Sequence, residues 1–232
     1  MSIIKEIFSS VATAILNVAN KIGPAVSKFA EGFTNFISKL PGAEIFSIIK
    51  VGATIVHGIC DFIGIKSKDT PEELGVKAEQ ADKKMEDFDN DTEAYIDYLN
   101  NEIQLDKEKM ANLTEDERAA YKTAGIAIEK KAIEEKLDGI SLSPSFIALA
   151  AKLYETDKIF QKTDELVTFI KGLKNSGIND LNDVTEFLMG SGTSDRIKTS
   201  DAMKKVLTNS LDKPDADEII DNMKYHTRNT EE

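Results

Sequence analysis

Cysteine is almost missing from this chain: Cys60 is the only one in 232 residues. No intramolecular disulfide can form, so the fold must hold by packing alone, which suits synthesis in a reducing cytosol. Tryptophan is absent, and neither of the two histidines, His57 and His226, sits in a recognisable nucleophile motif. An enzyme reading would fall back on Asp and Glu pairs, which helical surfaces supply by chance, so no catalytic residue is assigned. Basic charge is short as well, with 29 Lys and Arg against 41 Asp and Glu for a net charge of -12. A nucleic-acid binder needs a basic face to displace counterions from phosphates, and that function is disfavoured. Alternating strand patterns and repeats of solenoid period are also lacking.

What is present is apolar, helical and unevenly charged. Hydrophobic residues make up 41% of the chain, enough to bury a core. Residues 1–69 hold seven lysines and five acids, for a net +2, whereas residues 70–232 hold 22 basic and 36 acidic side chains, for a net -14. The split predicts an apolar, slightly basic N-terminal arm over 1–65, a charged linker with a short helix over 66–91, and an acidic helical body over 92–232.

In the arm, Ile4, Phe8, Val11, Ile15, Val18 and Ile22 follow one another at steps of three and four, and Val26, Phe29, Phe33, Phe36 and Leu40 continue in the same way. This is one apolar face at helical spacing. Gly23-Pro24 interrupts the hydrogen bonding midway and Pro41-Gly42 ends the second piece. The opposite face of the first helix carries Ser9, Ser10, Thr13, Asn17 and Asn20, with few charges. Weakly polar faces of this kind belong to helices that insert shallowly into lipid, to walls of oligomeric pores and to helices buried on nearly all sides. The eleven apolar residues are therefore the expected contacts with a lipid bilayer, a protein partner or a second copy of the chain.

The stretch "IFSIIKVGATIVHGICDFIGI", residues 45–65, is almost long and apolar enough to span a bilayer. Its polar residues Ser47, Lys50, Thr54, His57 and Asp61 recur at steps of three and four, so they form one narrow stripe on a helix. Lys50 and Asp61 would each cost about 2.5–3.5 kcal/mol near a bilayer centre, which argues against a lone span. Within a multi-helix assembly the stripe can face a polar interior or the acidic body, and Gly52, Gly58 and Gly64 allow close helix approach.

The body reads as short capped helices. Thr70-Pro71-Glu72-Glu73 starts one, Asp91 or Thr92 caps another, and Thr114 with Glu117 forms a capping box for a long segment closing at Gly139. Ser143-Pro144 opens a segment running to Gln161, and four more amphipathic segments follow, the last ending at Tyr225. The fold class expected is all-α, a multi-helix bundle.

Three motifs have residue types that can carry chemistry. His57, Cys60 and Asp61 share one side of a helix, but zinc wants a further ligand and His226 is far along the chain, so no metal site is assigned. Asp87, Asp89 and Asp91 have the opening spacing of a calcium loop, yet Thr92 replaces its glycine and Tyr98 its bidentate glutamate. "GSGTS", residues 190–194, lacks the lysine of a phosphate loop. No cofactor is expected.

The N-terminus does not read as a cleavable signal peptide, because Glu6 sits in the would-be basic region and Ser9, Ser10 and Thr13 interrupt the apolar run. The protein is expected to be made in the cytoplasm, and to reach a membrane or leave the cell by a route other than the general secretory signal. The layout broadly resembles that of small bacterial effectors and mobile-element proteins, a likeness that transfers no residue roles. The function expected is that of a membrane-active or membrane-docking toxin or effector working through residues 1–65. The alternative is a structural protein that oligomerises, or docks on a secretion or phage-like particle, through the same arm.

Overall fold

Gly23 and Pro24 bend the chain without unpairing it. The Gly23 amide still closes the last turn of α1 (Ile3–Ile22) on the Ala19 carbonyl at 3.1 Å, and Pro24, which has no N–H to lose, takes the first position of α2 (Pro24–Ile37). The computed structural model describes residues 3–89, 91–192 and 195–229, with the side chains of Ile3 and Ile4 outside that description. A turn through Pro41-Gly42 leads to α3 (Ile45–Ile63), which ends where Gly64 adopts φ +81° and the Ile65 amide reaches back to the Cys60 carbonyl.

The remaining helices start where the expected caps stand. Thr70 and Glu73 form a reciprocal capping box on α4 (Pro71–Gln80), Asp91 caps α5 (Thr92–Glu102), Thr114 and Glu117 box α7 (Glu115–Lys136), and Ser143 caps α8 (Pro144–Leu153). One short α-helix falls outside the sequence reading, α6 (Lys107–Asn112), capped by Asp106, and a second, α9 (Lys158–Gln161), capped by Asp157, stands apart from α8. The second divides the segment expected to run unbroken from Pro144 to Gln161. After Leu153 the amide of Thr156 turns back to the Leu153 carbonyl, and the Asp157 carboxylate takes the Ile159 amide instead of letting the helix continue. The chain closes with α10 (Thr163–Asn175), α11 (Asn182–Met189), α12 (Arg196–Ser210) and α13 (Ala216–Arg228). Among the described residues there is no strand, only one isolated bridge between Ser141 and Asp180, and the fold is all-α.

The bundle is organised around α7. Helices α1, α3 and α4 pack on it from different sides, with α2 and α5 completing the cover. Its middle is made of small and aliphatic residues, Ala119, Ala120, Thr123, Ala124, Gly125, Ile126, Ala127 and Ile128, all buried. A helix that is slim and apolar on most sides, here interrupted by Lys122, can be surrounded, whereas an ordinary amphipathic helix offers a single stripe. α4 comes closest: a Cβ on Gly75 would lie 2.1 Å from the Tyr121 carbonyl oxygen, and one on Gly125 would lie 1.9 Å from that of Pro71. The two helices touch backbone to backbone at reciprocal glycines.

The C-terminal helices form the other side of the molecule. α8 packs on α2 and α3 and carries α11 and α13, while α10 touches α3 and holds α12. One continuous apolar core includes residues from α1 through α13. Lys152 of α8 is a tie in this region. Its ammonium donates to the carbonyls of Pro41 at 2.6 Å, Asn229 at 3.1 Å and Thr227 at 3.3 Å, joining the α2–α3 turn to the end of α13. Lys152→Met keeps the stem but leaves three carbonyls without their cation. Urea denaturation should show a loss of about 2–3 kcal/mol, since hydrogen bonds to charged groups are the stronger kind; an unchanged midpoint would mean that water replaces the ammonium without cost.

Candidate functional site

The apolar rows of residues 1–42 face inward. Val11, Ile15, Val18, Ile22, Val26, Phe29, Phe33 and Leu40 are buried, Phe8 and Phe36 are half-buried against the same core, and the Ile4 side chain lies outside the described residues. The uncharged polar face of α1 points the other way, with Ser9, Ser10, Thr13, Asn17 and Asn20 exposed. Ser10 donates to Asp116 at the start of α7. Large apolar side chains left exposed on this region are Ile7 of α1 and Phe62 of α3, at 45% and 55%.

Among the described residues α3 is the one helix long and apolar enough to cross a bilayer, and half of it is buried among its neighbours. Ile45, Ile48, Ile49, Ala53, Val56, Ile59 and Cys60 face the core. Ser47, Lys50, Thr54 and Asp61 of the polar stripe are exposed, and His57 alone among the five turns partly inward. The glycines of α3 have separate roles: Gly52 lies at ordinary contact with Ile147, Gly58 sits tightly against Thr163, and Gly64 supplies the left-handed cap.

His57 meets Glu129, in the buried part of α7, with Nδ1 2.7 Å from Oε1. The Glu129 side chain is 0% exposed, and its Oε2 has no hydrogen-bond partner among the described residues. Burial pushes the Glu129 carboxyl above the usual carboxylate range, opposed by the hydrogen bond and charge of His57 and by the nearby Ser67 hydroxyl. The bond to Glu129 raises His57 in turn, against the effect of its own burial, and the charges of Glu129 and Asp61 add to the rise. Asp61 stands 3.9 Å from Nε2 on the exposed side of the ring.

Cys60 does not join a metal cluster or a nucleophilic pair with these groups. Its thiol donates weakly to the Glu129 backbone carbonyl at 3.8 Å, and burial pushes the thiol well above its ordinary value, away from the reactive thiolate. Among the described residues no three His, Cys, Asp or Glu side chains are gathered to hold a metal. Asp87 and Asp91 accept the backbone amides of Lys84 and Ala94, so they cap local turns. "GSGTS" lies partly outside the described residues; its Gly190 caps α11 in the left-handed region.

A second polar cluster joins α4, α6 and α7 to the end of α1. Burial raises Glu79 of α4, but donation from Lys109, Tyr121 and Lys21 outweighs it and holds the carboxyl down to about 2. A carboxyl lowered on folding contributes stability above its unfolded value of 4.5, and that contribution is lost as pH falls from 4.5 through about 2. Glu79→Gln should therefore flatten this part of the acid limb in melts taken between pH 5 and about 2, where the wild type declines; an unaltered limb would assign acid loss to other carboxylates.

Glu129 escaped the sequence reading because "AIEKKAIEEK" looks like an ordinary solvated surface. The available signal was its register: Glu129 follows Ile126 by three and precedes Ile133 by four, both of them fully buried.

No protein-family model matches the chain, and comparisons with curated proteins and with solved structures give no match. Fold and site define a class only: an all-α bundle around a slim central helix, with one bilayer-length apolar helix clasped to it by a histidine and a buried carboxyl.

Proposed function

We propose that this chain is a membrane-docking protein of toxin or effector type, which stores α1–α3 in its bundle and delivers that segment to a bilayer. The observation that carries the reading is α3 itself. Its 19 residues rise about 28 Å, close to the roughly 30 Å hydrocarbon thickness. Asp61 lies near the C-terminal end of α3, and Lys50, one turn from the midpoint, has a long stem that can carry its ammonium toward the headgroups. Neighbouring α1 and α2 supply two more apolar faces, buried in the stored state and suited to the interface once uncovered. Delivery must repay the burial given up in the bundle, and the net -14 of residues 70–232 opposes approach to anionic lipid, so apolar contact has to drive it.

Full-length protein should float with neutral phosphatidylcholine vesicles and release an entrapped dye. Protein that stays at the bottom of the gradient with both neutral and anionic vesicles would remove this reading. The second reading, an interaction protein acting through the same region, is favoured by the exposure of Ile7 and Phe62, and it predicts a defined oligomer by light scattering without lipid.

A further inference from the structure

We infer that the His57–Glu129 contact is a proton-controlled clasp between α3 and α7, closed at acid and neutral pH and loosened as the solution turns alkaline. The geometry is unusual for a surface stripe. Glu129 is fully enclosed in the central helix, one of its oxygens rests on His57 at 2.7 Å, and the other has no hydrogen bond among the described residues, the nearby Ser67 hydroxyl donating instead to the Asp69 carbonyl. Lys50, Thr54 and Asp61 point to solvent. His57 is therefore the polar side chain through which α3 engages the α7 carboxyl, and its ring keeps a partly exposed side from which it can exchange a proton with water.

When His57 is protonated, the enclosed carboxylate has a cation at hydrogen-bond distance. When the ring loses that proton, the neutral tautomer can still donate from Nδ1, but Glu129 is left as an enclosed anion without a counter-charge, the costly state for an ion pair that loses one member. The charges around the contact do not compensate. Asp61 acts on both members, and Glu93 of α5 reaches the adjoining Cys60. Lys130 and Lys131, next along α7, pair with Glu134 and Glu135. From α8 and α10 the side chains meeting α3 at Gly52 and Gly58 are Ile147 and Thr163, neither of them titratable.

The signs agree for the two groups. His57 is raised on folding, so its contribution is fully present below pH 6.5 and is lost as pH climbs through its higher folded value. Glu129 is raised too, so folding favours its protonated form, and its contribution is lost as pH climbs above 4.5 through its folded value. Acid keeps the clasp closed. That α3 passes to lipid once the clasp has loosened rests on the reading proposed above, whereas the clasp itself does not.

Thermal melts of the full chain between pH 6 and pH 9 test it. The wild type should lose roughly 5 °C across that interval, and Glu129→Gln, which keeps an acceptor for the ring N–H but carries no charge, should be flat. An equal fall in both proteins would overturn the clasp. If Glu129→Gln does not fold, the imidazole proton resonances of the wild type decide, with His57→Gln used to assign the two signals. His57 must titrate above 6.5, and a value at or below 6.5 contradicts the inference. Flotation with phosphatidylcholine vesicles at both pH values separates the two claims. More bound protein at pH 9 supports both, and no flotation alongside a clear wave in the melts leaves the clasp standing while removing the membrane reading.

Discussion

Gly125→Ala is expected to cost at least about 3 kcal/mol of unfolding free energy, or to prevent folding altogether, although alanine is the better helix former by about 1 kcal/mol. The added methyl would lie 1.9 Å from the carbonyl oxygen of Pro71 and 2.5 Å from its carbonyl carbon. These are backbone atoms in the first turn of α4, so no rotamer change relieves the clash, and α4 must lift off α7. Moving α4 also disturbs the Gly75–Tyr121 approach and the ion pairs of Glu72 with Arg118 and Lys122. Gly52→Ala provides the comparison. It lies mid-helix in α3 with its nearest neighbour, Ile147, at 3.5 Å, so it should be neutral or slightly stabilising. Urea denaturation of the two variants reads the difference directly, and a Gly125→Ala protein as stable as Gly52→Ala would mean that α4 is not seated on α7 as described.

Deleting residues 1–42 is expected to abolish cooperative unfolding of what is left. α1 packs on α7, and α2 packs on α7 and α8. Together they bring Val11, Ile15, Val18, Ile22, Val26, Phe29, Phe33, Ile37 and Leu40 into the core, each nearly or fully enclosed. Burial of one such side chain is worth about 1.5–3 kcal/mol, while the net stability of a whole domain is about 5–15 kcal/mol. The truncated chain would present two uncovered sides of α7 to water. A broad melt with strong binding of an apolar dye is the expected result. A sharp transition at the wild-type temperature would instead mark residues 1–42 as an appendage on an independently folded body.

These two cases show where sequence pattern stops. The apolar rhythm from Phe8 to Leu40, the break at Gly23-Pro24 and the boxes at Thr70 and Thr114 are local, set by helical periodicity and by backbone groups a few residues apart. All of them were legible. Periodicity identifies the face of a helix that is apolar, but it does not say what covers that face, so α7 as the common partner of α1, α3 and α4 was not legible. The glycines show the same limit. Gly75 and Gly125 attract no notice in the sequence, yet they let α4 and α7 meet backbone to backbone, while Gly52, more prominent in an apolar run, has ordinary room. At the candidate site, His57 stood out and Glu129 did not, because a carboxyl's burial depends on elements more than 70 positions away in the chain.

The most direct test of stored and delivered states is amide hydrogen exchange of α3 and α7 in the full chain, measured with and without phosphatidylcholine vesicles. Without lipid, both helices should be among the slowest segments to exchange. With lipid, α3 should stay protected, its amides now shielded by helix and bilayer, while the middle of α7 around Gly125 and Glu129 should lose protection as its cover departs. Slow exchange at α7 that is unchanged by vesicles would contradict the account, because it would mean that α1–α3 never leave the bundle.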